Sequence, residues 1–277
     1  MRAFQRVRGL RDDGVCDHHT WSALVEANWR LGDRLLYQRA PNLRGDDVAD
    51  LQGRLGSLGF DAGRVDGIFG PATARALEEF QRNVGLPVDG ICGFETVQAL
   101  HRLGGRETGQ PVAAVREAEH LRHATPTLAG KRIVVGHEGG LGALARAIGR
   151  ALRHEGAAVI VVDEPEGSGQ ATAANRFGAD VFVGLAAASG EGFVAYYGVP
   201  QFESVGGRRL AGLLADAMVE RLGWHLDARG MRLPALRETR MPAVVCEVPA
   251  QRAVLDASAQ VSEAVTAAVT AWVQPLT

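Results

Sequence analysis

The chain has 277 residues, which is long enough for two domains with separate hydrophobic cores. Its formal net charge at pH 7 is −2, and no tract rich in lysine and arginine stands out, so the sequence argues against a nucleic-acid-binding protein. No apolar run approaches the roughly 20 residues of a membrane-spanning helix, and no basic-then-apolar leader opens the chain. The function must therefore be sought in individual sites.

The chain begins inside a repeat. Residues 4–24 align without a gap on residues 80–100, and the two segments share a Phe-Gln-Arg triplet, a Gly-Leu pair, an Asp-Gly turn and a following threonine. The first copy lacks the front half of its module. This predicts either that the true start lies upstream of Met1 or that a decayed repeat packs on its neighbour, and the first interpretation is favoured because half a unit leaves an apolar face uncovered.

The cysteines are expected to be free and reduced, because the three of them form neither a CxxC pair nor an even disulfide set. Cys16 and Cys92 occupy equivalent positions of the two repeats, where a small apolar residue is the simplest explanation. The third is Cys246.

Residues 41–103 are predicted to form a compact unit of three helices. Asp46 or Asp47 is suited to cap the first helix, which carries leucines at helical spacing. A second helix is expected over residues 71–84, and a short third helix after Glu95.

Two loops between these helices share the phrase D-G-I-x-G-x-x-T. The Asp-Gly pair makes a turn that requires positive φ, a second glycine closes the loop, and the threonine stands near a helix start. The residues concerned are Asp66, Gly67, Phe69, Gly70 and Thr73 in one loop and Asp89 and Gly90 in the other.

Residues 46–103 resemble the peptidoglycan-binding domain found on bacterial cell-wall hydrolases, through the motifs G-D-D-V-x-x-L-Q-x-x-L, L-G-F, D-G-x-F-G-x-x-T and F-Q-x-x-x-G-L-x-x-D-G. The resemblance implies a three-helix fold that holds murein or a precursor in a surface groove. The seven loop residues named above are the candidate peptidoglycan-binding residues. A purely structural role, in which they build loops and caps, carries more weight than direct contact with the ligand.

A polar linker at residues 104–129, with a short helix near residues 113–123, leads into a segment of alternating strands and helices. Buried strands are expected at residues 131–135, 157–162, 181–185, 192–197 and 243–246, and helices at 141–153, 172–177, 210–222 and 257–272. This alternation predicts an α/β domain with a largely parallel open sheet over residues 130–277.

The order of motifs in this second domain resembles the zinc-dependent N-acetylmuramoyl-L-alanine amidases. The matching segments are Gly136-His137-Glu138-Gly139-Gly140, Ala174-Asn175, Ala179-Asp180-Val181-Phe182-Val183, Gly192 to Tyr197, Arg229-Gly230, Leu236-Arg237 and Met241 to Glu247. The resemblance implies a zinc ion held by two histidines and a glutamate, with a further glutamate that moves protons during amide cleavage.

The implied zinc site is incomplete in this sequence. His137 matches the first metal ligand and Glu247 the catalytic carboxylate, but the loop that should carry the glutamate ligand is missing and Ala186 stands where the second histidine is expected. Zinc is therefore a doubtful cofactor, and His154 or His225 would have to supply a ligand. The alternative roles are a loop histidine for His137 and, for Glu247, a strand-end carboxylate bonded to backbone or to an arginine such as Arg237 or Arg240.

The sequence thus predicts a partial peptidoglycan-binding repeat at residues 1–40, a complete domain at 41–103, a linker at 104–129 and an amidase-like domain at 130–277. The first hypothesis is a bacterial protein of cell-wall metabolism or its regulation that binds murein or its precursors, with a pseudoenzyme domain that contacts a cell-wall synthesis protein. The competing hypothesis is an active zinc amidase that cleaves the bond between N-acetylmuramic acid and L-alanine, and a third is a helical module that only contacts another protein. The expected location is cytoplasmic as written, and the cell wall or outside the cell if the start is truncated.

Overall fold

The computed structural model describes residues 1–103, 112–187, 192–248 and 256–275. The chain divides into two compact units, Met1–Arg116 with Pro200–Phe202, and Glu117–Val199 with Glu203–Thr277. The first unit is helical and the second contains a β-sheet with helices on both faces. Helical and α/β segments thus follow one another as the sequence predicts.

The helical unit contains five helices before the linker. Their bounds are α1 Arg2–Val7, α2 His18–Glu26, α3 Asp46–Ser57, α4 Pro71–Val84 and α5 Phe94–Leu103. The core between α3, α4 and α5 consists of leucines and aromatic rings at helical spacing, among them Leu51, Leu55, Leu77, Phe80 and Leu100, none of which is exposed. Phe60 packs edge to face on Phe80, with ring centroids 5.6 Å apart.

Both ends of α4 follow from local rules. Pro71 at the first helical position has no N–H that the helix would leave unbonded. Gly85 ends the helix with φ of 75°, a left-handed conformation that favours glycine. The sequence placed this helix correctly. Its prediction for the start of α3 was wrong by one residue, since the N-cap is Gly45 and Asp46 and Asp47 lie in the first turn, where a negative charge favours the helix dipole.

The sheet of the second unit has seven strands among the described residues, in the order β2-β1-β3-β7-β4-β5, with β6 paired to β4. The strands are β1 Arg132–His137, β2 Ala158–Asp163, β3 Val181–Ala187, β4 Phe193–Val199, β5 Phe202–Glu203, β6 Asp227–Met231 and β7 Ala243–Val248. Strands β2, β1, β3 and β7 run parallel, and β4 runs antiparallel to β7. The expectation of a largely parallel sheet is confirmed.

Helices cover both faces of this sheet. The remaining helices are α6 Val112–Arg122, α7 Gly142–His154, α8 Gly167–Phe177, α9 Val205–Leu222, α10 Pro234–Glu238 and α11 Ser258–Trp272. The main core lies under α7, α9 and α11, and alternate residues of β1, β3 and β7 enter it. Helices α8 and α10 pack together on the other face. The sequence analysis missed α10 and β6, which are short, and predicted too short a helix at α8.

Candidate functional site

A buried glutamine organises the first candidate loop of the helical unit. The Nε2 atom of Gln52 lies 2.9 Å from Asp66 Oδ1, 3.1 Å from the Ile68 carbonyl and 3.1 Å from Thr73 Oγ1. Its Oε1 atom accepts the Gly67 N–H at 2.8 Å, and Asp66 Oδ1 accepts the Ile68 N–H at 2.8 Å. Gln52 is only 2% exposed, and its bonds to Thr73 Oγ1 and to the Gly67 N–H are buried. The Asp-Gly phrase is therefore held from inside the helical core.

The same arrangement occurs around Gln81 in the second loop. Gln81 Nε2 lies 2.8 Å from Asp89 Oδ1, 3.0 Å from the Ile91 carbonyl and 3.2 Å from Thr96 Oγ1, and Gln81 Oε1 accepts the Gly90 N–H at 3.0 Å. The Ile91 N–H, and then the Gln81 amide, lower the pKa of Asp89 because both donate to its carboxylate. Two loops of the complete module thus share one construction.

A third copy of this network is present in the half repeat at the start of the chain. Gln5 Nε2 lies 3.0 Å from Asp13 Oδ1, 2.9 Å from the Val15 carbonyl and 3.2 Å from Thr20 Oγ1. Gln5 Oε1 accepts the Gly14 N–H at 2.8 Å. Residues 4–24 and 80–100, which align in sequence, therefore also make equivalent hydrogen bonds in the structure. In the sequence, each copy has this glutamine directly after an apolar residue. The sequence analysis did not predict that the glutamine forms the hydrogen bonds that hold the loop.

Of the candidate peptidoglycan-binding residues, Gly67, Phe69 and Thr73 are buried, whereas Asp89 is exposed. Phe69 and Thr73 are 0% and 1% exposed, and Gly70 is the N-cap of α4. Asp66 and Gly67 are bonded to Gln52, as described, and Asp89 and Gly90 to Gln81. Phe69 is therefore able to influence a ligand only by holding the loop. The neighbouring side chains Val88, Ile91 and Phe94, which the sequence analysis did not single out, are exposed by 46%, 36% and 76%.

His137 ends strand β1 in the second unit and is only 2% exposed. Its Nδ1 atom accepts the Gly139 N–H at 3.2 Å and lies 3.5 Å from Asp163 Oδ1. A nitrogen that accepts a backbone N–H carries no proton, so in the neutral ring the proton lies on Nε2. The Nε2 edge points toward the first turn of α7, since Nε2 and Cε1 are both 3.3 Å from the position that a Cβ on Gly142 would take.

Glu247 lies on the face of the sheet opposite to His137. In strand β7 the residues Val244, Cys246 and Val248 enter the core under α7, α9 and α11, so Glu247 alternates to the other side. His137 follows Ile133 and Val135, which enter that same core, and it shares their side. Strand register places Ala186 beside Glu247, and Leu185 beside His137.

The residues present do not fit the zinc site that the amidase resemblance implies. Throughout the described parts of the chain, no three His, Cys, Asp or Glu side chains converge on a point where they could hold a metal ion. His154 lies at the far end of the 13-residue helix α7, about 20 Å along its axis from the turn beside His137. His225 is exposed and lies between α9 and β6, and Glu138 is exposed in the bend that follows β1.

The described helices include none that is both long and apolar enough to cross a lipid bilayer.

Several known proteins are similar in sequence to this chain. A family model described as a peptidoglycan binding domain matches residues 44–100. Over 284 aligned positions the chain is 39% identical to the N-acetylmuramoyl-L-alanine amidase CwlM of Mycobacterium tuberculosis. The alignment covers 90% of this chain and 69% of that protein. The spore cortex-lytic enzyme of Bacillus cereus is 54% identical over 56 residues, 20% of this chain and 22% of the enzyme.

Among solved structures, the N-acetylmuramoyl-L-alanine amidase AmiC2 of Nostoc punctiforme is similar over 53% of this chain and 99% of its own, with a TM-score of 0.44 and 19% identity. The N-terminal domain of SleB is similar over 27% of this chain and 97% of its own, with a TM-score of 0.25 and 40% identity.

Proposed function

The chain belongs to the N-acetylmuramoyl-L-alanine amidase family, and we propose that it binds murein or its precursors through the helical module while its amidase-like domain has lost the zinc-dependent hydrolysis. The protein would then be a pseudoenzyme of cell-wall metabolism, associated with the wall or with the synthesis of its precursors. A cell-wall synthesis protein is the partner proposed for the amidase-like domain.

The observation that carries the loss of hydrolysis is the position of His137 and Glu247 on opposite faces of the sheet. Amide cleavage by a zinc enzyme needs the metal-bound water and the general base to reach the same carbonyl group. The side chains of His137 and Glu247 leave the sheet in opposite directions, and within the described residues no three metal-binding side chains converge. Ala186, in the register position beside Glu247, has no atom that binds a metal.

Support for murein binding comes from the family match and from the loops. Residues 44–100 contain both complete loops, and buried glutamines hold each Asp-Gly turn in one conformation. Such pre-organised loops lower the entropy cost of binding. The exposed ring of Phe94, next to the second loop, offers a flat apolar surface of the kind that packs on a sugar ring.

Retention on purified sacculi tests the binding function. The substitution Phe94→Ala removes an exposed ring and should weaken retention several-fold without loss of fold. Gln98→Ala, an exposed position one turn further along α5, is the matched control and should retain binding. The double variant Asp66→Ala with Phe69→Ala should lose retention together with its helical circular dichroism signal, because both residues build the module. Wild-type protein that fails to sediment with sacculi would refute murein binding.

Metal content and cleavage test the proposed loss of hydrolysis. Protein purified without chelators should contain no stoichiometric zinc by elemental analysis and should release no L-alanine-linked stem peptide from sacculi. The competing function, an active amidase, predicts the reverse. Zinc that disappears with His137→Ala, together with cleavage that disappears with Glu247→Ala, would establish the hydrolase and reject the pseudoenzyme.

A further inference from the structure

An open cleft lies on the outer face of α3 in the helical unit. Its volume is about 720 Å³, within the range of roughly 300–1,000 Å³ that is usual for ligand sites. Its lining comes from the half repeat, from the segment that follows α2 and from α3, with two further residues of the same compact unit, Pro200 and Gln201. A cleft of this size has room for a sugar together with a short peptide.

Small residues of α3 keep the floor of this cleft low. Ala49 and Gly53 lie at helical spacing on the cleft side, whereas Leu51 and Leu55 face the core and are 0% exposed. A Cβ built on Gly53 would meet no atom within 4 Å, so the space above this residue is open. Glycine weakens the interior of a helix, and neither close packing nor a positive φ requires it here. What Gly53 provides is the open floor of the cleft.

Trp29 forms an aromatic wall of the cleft. The guanidinium of Arg34 lies over one face of the indole, 4.5 Å from the ring centroid. Arg34 is in turn bonded to both carboxylate oxygens of Asp47, at 2.7 and 3.1 Å, and Asp47 is 1% exposed. The indole is thus held by an ion pair at the start of α3. Its N–H has no acceptor among the described residues, so Trp29 offers the cleft an apolar ring with a hydrogen-bond donor at its edge.

Arginines outnumber carboxylates around the cleft. Arg54 is paired with Asp50 at 2.8 Å on the cleft side of α3. Arg8 is paired with Asp46 at 2.6 Å. Arg30 is exposed and forms no ion pair within the described parts of the chain. The lining therefore has one positive charge in excess, which favours a ligand that carries carboxylates.

The cleft depends on the half repeat as well as on the complete module. The family model covers residues 44–100, so Arg8, Trp29 and Arg30 lie outside the matched domain. The ion pair between Arg8 and Asp46 joins the end of α1 to the first turn of α3. Phe94, beside the second loop, does not line this cleft. The helical unit thus contains a second surface that is suited to a ligand.

We infer that this cleft binds a muropeptide, that is, a sugar that carries a short acidic peptide. The sugar ring packs on Trp29 above the open floor at Gly53, and the peptide carboxylates accept hydrogen bonds from Arg30 and Arg54. The aromatic wall and the excess positive charge match the two parts of such a ligand. This inference rests on the proposed binding of murein, and it assigns the stem peptide to a site other than the Asp-Gly loops.

Calorimetric titration of the full chain with N-acetylmuramoyl-L-alanyl-D-glutamic acid tests the site. We expect saturable binding. Gly53→Leu fills the floor of the cleft and should raise the Kd at least tenfold, while the midpoint of thermal unfolding should be no lower than in wild-type protein. The matched control is Gly212→Leu in the interior of α9, where a Cβ also meets no atom within 4 Å. Gly212 does not line the cleft, so this variant should change the Kd less than twofold.

Further variants and ligand fragments test the two contacts separately. Trp29→Ala and Arg30→Gln should each raise the Kd several-fold with an unchanged circular dichroism signal. Arg75→Gln, which removes an exposed arginine of α4 outside the cleft, should leave the Kd unchanged. N-acetylglucosamine alone and L-alanyl-D-glutamic acid alone should bind more weakly than the muropeptide. A fragment that binds as tightly as the muropeptide would overturn the inference that the cleft contacts both the sugar and the peptide.

Retention on sacculi, measured with the same preparations, separates this inference from the proposed function. Wild-type protein that sediments with sacculi but does not bind the muropeptide would overturn the cleft site and leave murein binding by the loops in place. Equal losses of muropeptide binding in the Gly53→Leu and Gly212→Leu variants would also overturn the site. Absence of both interactions in wild-type protein would refute murein binding itself.

Discussion

Ala186 and Glu247 are register partners on β3 and β7, and their side chains share the face of the sheet that His137 does not. The position of the missing second histidine is thus adjacent to the proposed catalytic carboxylate. The side chain of Ala186 leaves the sheet on the face away from His137, although His137 pairs with the preceding residue, Leu185. A single reversion at Ala186 would place two histidines on opposite sides of the sheet.

The first prediction follows from this arrangement. Ala186→His should not restore zinc binding or cleavage, because the new imidazole would leave the sheet on the face away from His137 and the glutamate ligand would still be missing. Elemental analysis and release of stem peptide are the measurements. Ala187→His adds a histidine to the same strand end on the face of His137 and controls for the effect of an imidazole on the fold. Stoichiometric zinc in the Ala186→His protein would show that side chains from both faces of the sheet can bind one ion, and that one substitution restores the zinc site.

The glutamine networks give a second prediction. Gln52→Ala and Gln81→Ala each remove the side-chain partner of a glycine N–H and of a backbone carbonyl in the loop, which costs about 1–3 kcal/mol for each such group that stays buried and unpaired. Hydrogen exchange should therefore rise at residues 66–73 in the first variant and at 89–96 in the second. Asn83→Ala, which removes an exposed amide bonded only to the Glu79 carbonyl, should change exchange in neither loop. Equal exchange in all three variants would mean that the loops are held by other contacts.

Thiol chemistry gives a third prediction. Burial raises the pKa of Cys92 and of Cys246 to about 12, whereas Cys16 is exposed. A maleimide at pH 8 should label one thiol quickly, and mass spectrometry of peptides should locate it at Cys16. Labelling should vanish with Cys16→Ser. Rapid modification of Cys92 in native protein would show that the core of the helical unit opens readily.

The same two buried thiols predict loss of stability at alkaline pH. Their folded-state pKa lies above the unfolded value of 9.0, so the unfolded chain binds fewer protons between about pH 9 and 12 and the free energy of unfolding falls as pH rises. Urea unfolding at pH 8 and pH 10 measures the effect. Replacement of both cysteines with alanine should flatten this pH dependence, and an unchanged slope would assign it to other groups.

The order of helices and strands could be predicted from the sequence, because apolar periodicity and the Gly and Pro residues that end helices and strands are local features. Helix α4 was predicted at its observed bounds for this reason. The sequence could not predict on which face of the sheet His137 and Glu247 lie. Side chains alternate between the two faces along a strand, and the sequence does not define the residue at which each strand ends. The role of Gln52 was missed because its partners are distant along the chain and only the folded loop brings them together.

The short segment that precedes α3 connects the two complete loops. Leu36 forms an antiparallel bridge with Cys92, and Arg44 forms one with Ile68, so one stretch of chain is bonded to both Asp-Gly loops. A displacement of either loop is transmitted to the other through this stretch, and the distance between them is set when the module folds. A polymer with a regular chemical repeat would meet two contact points at constant spacing, and binding at one would raise the effective concentration at the other.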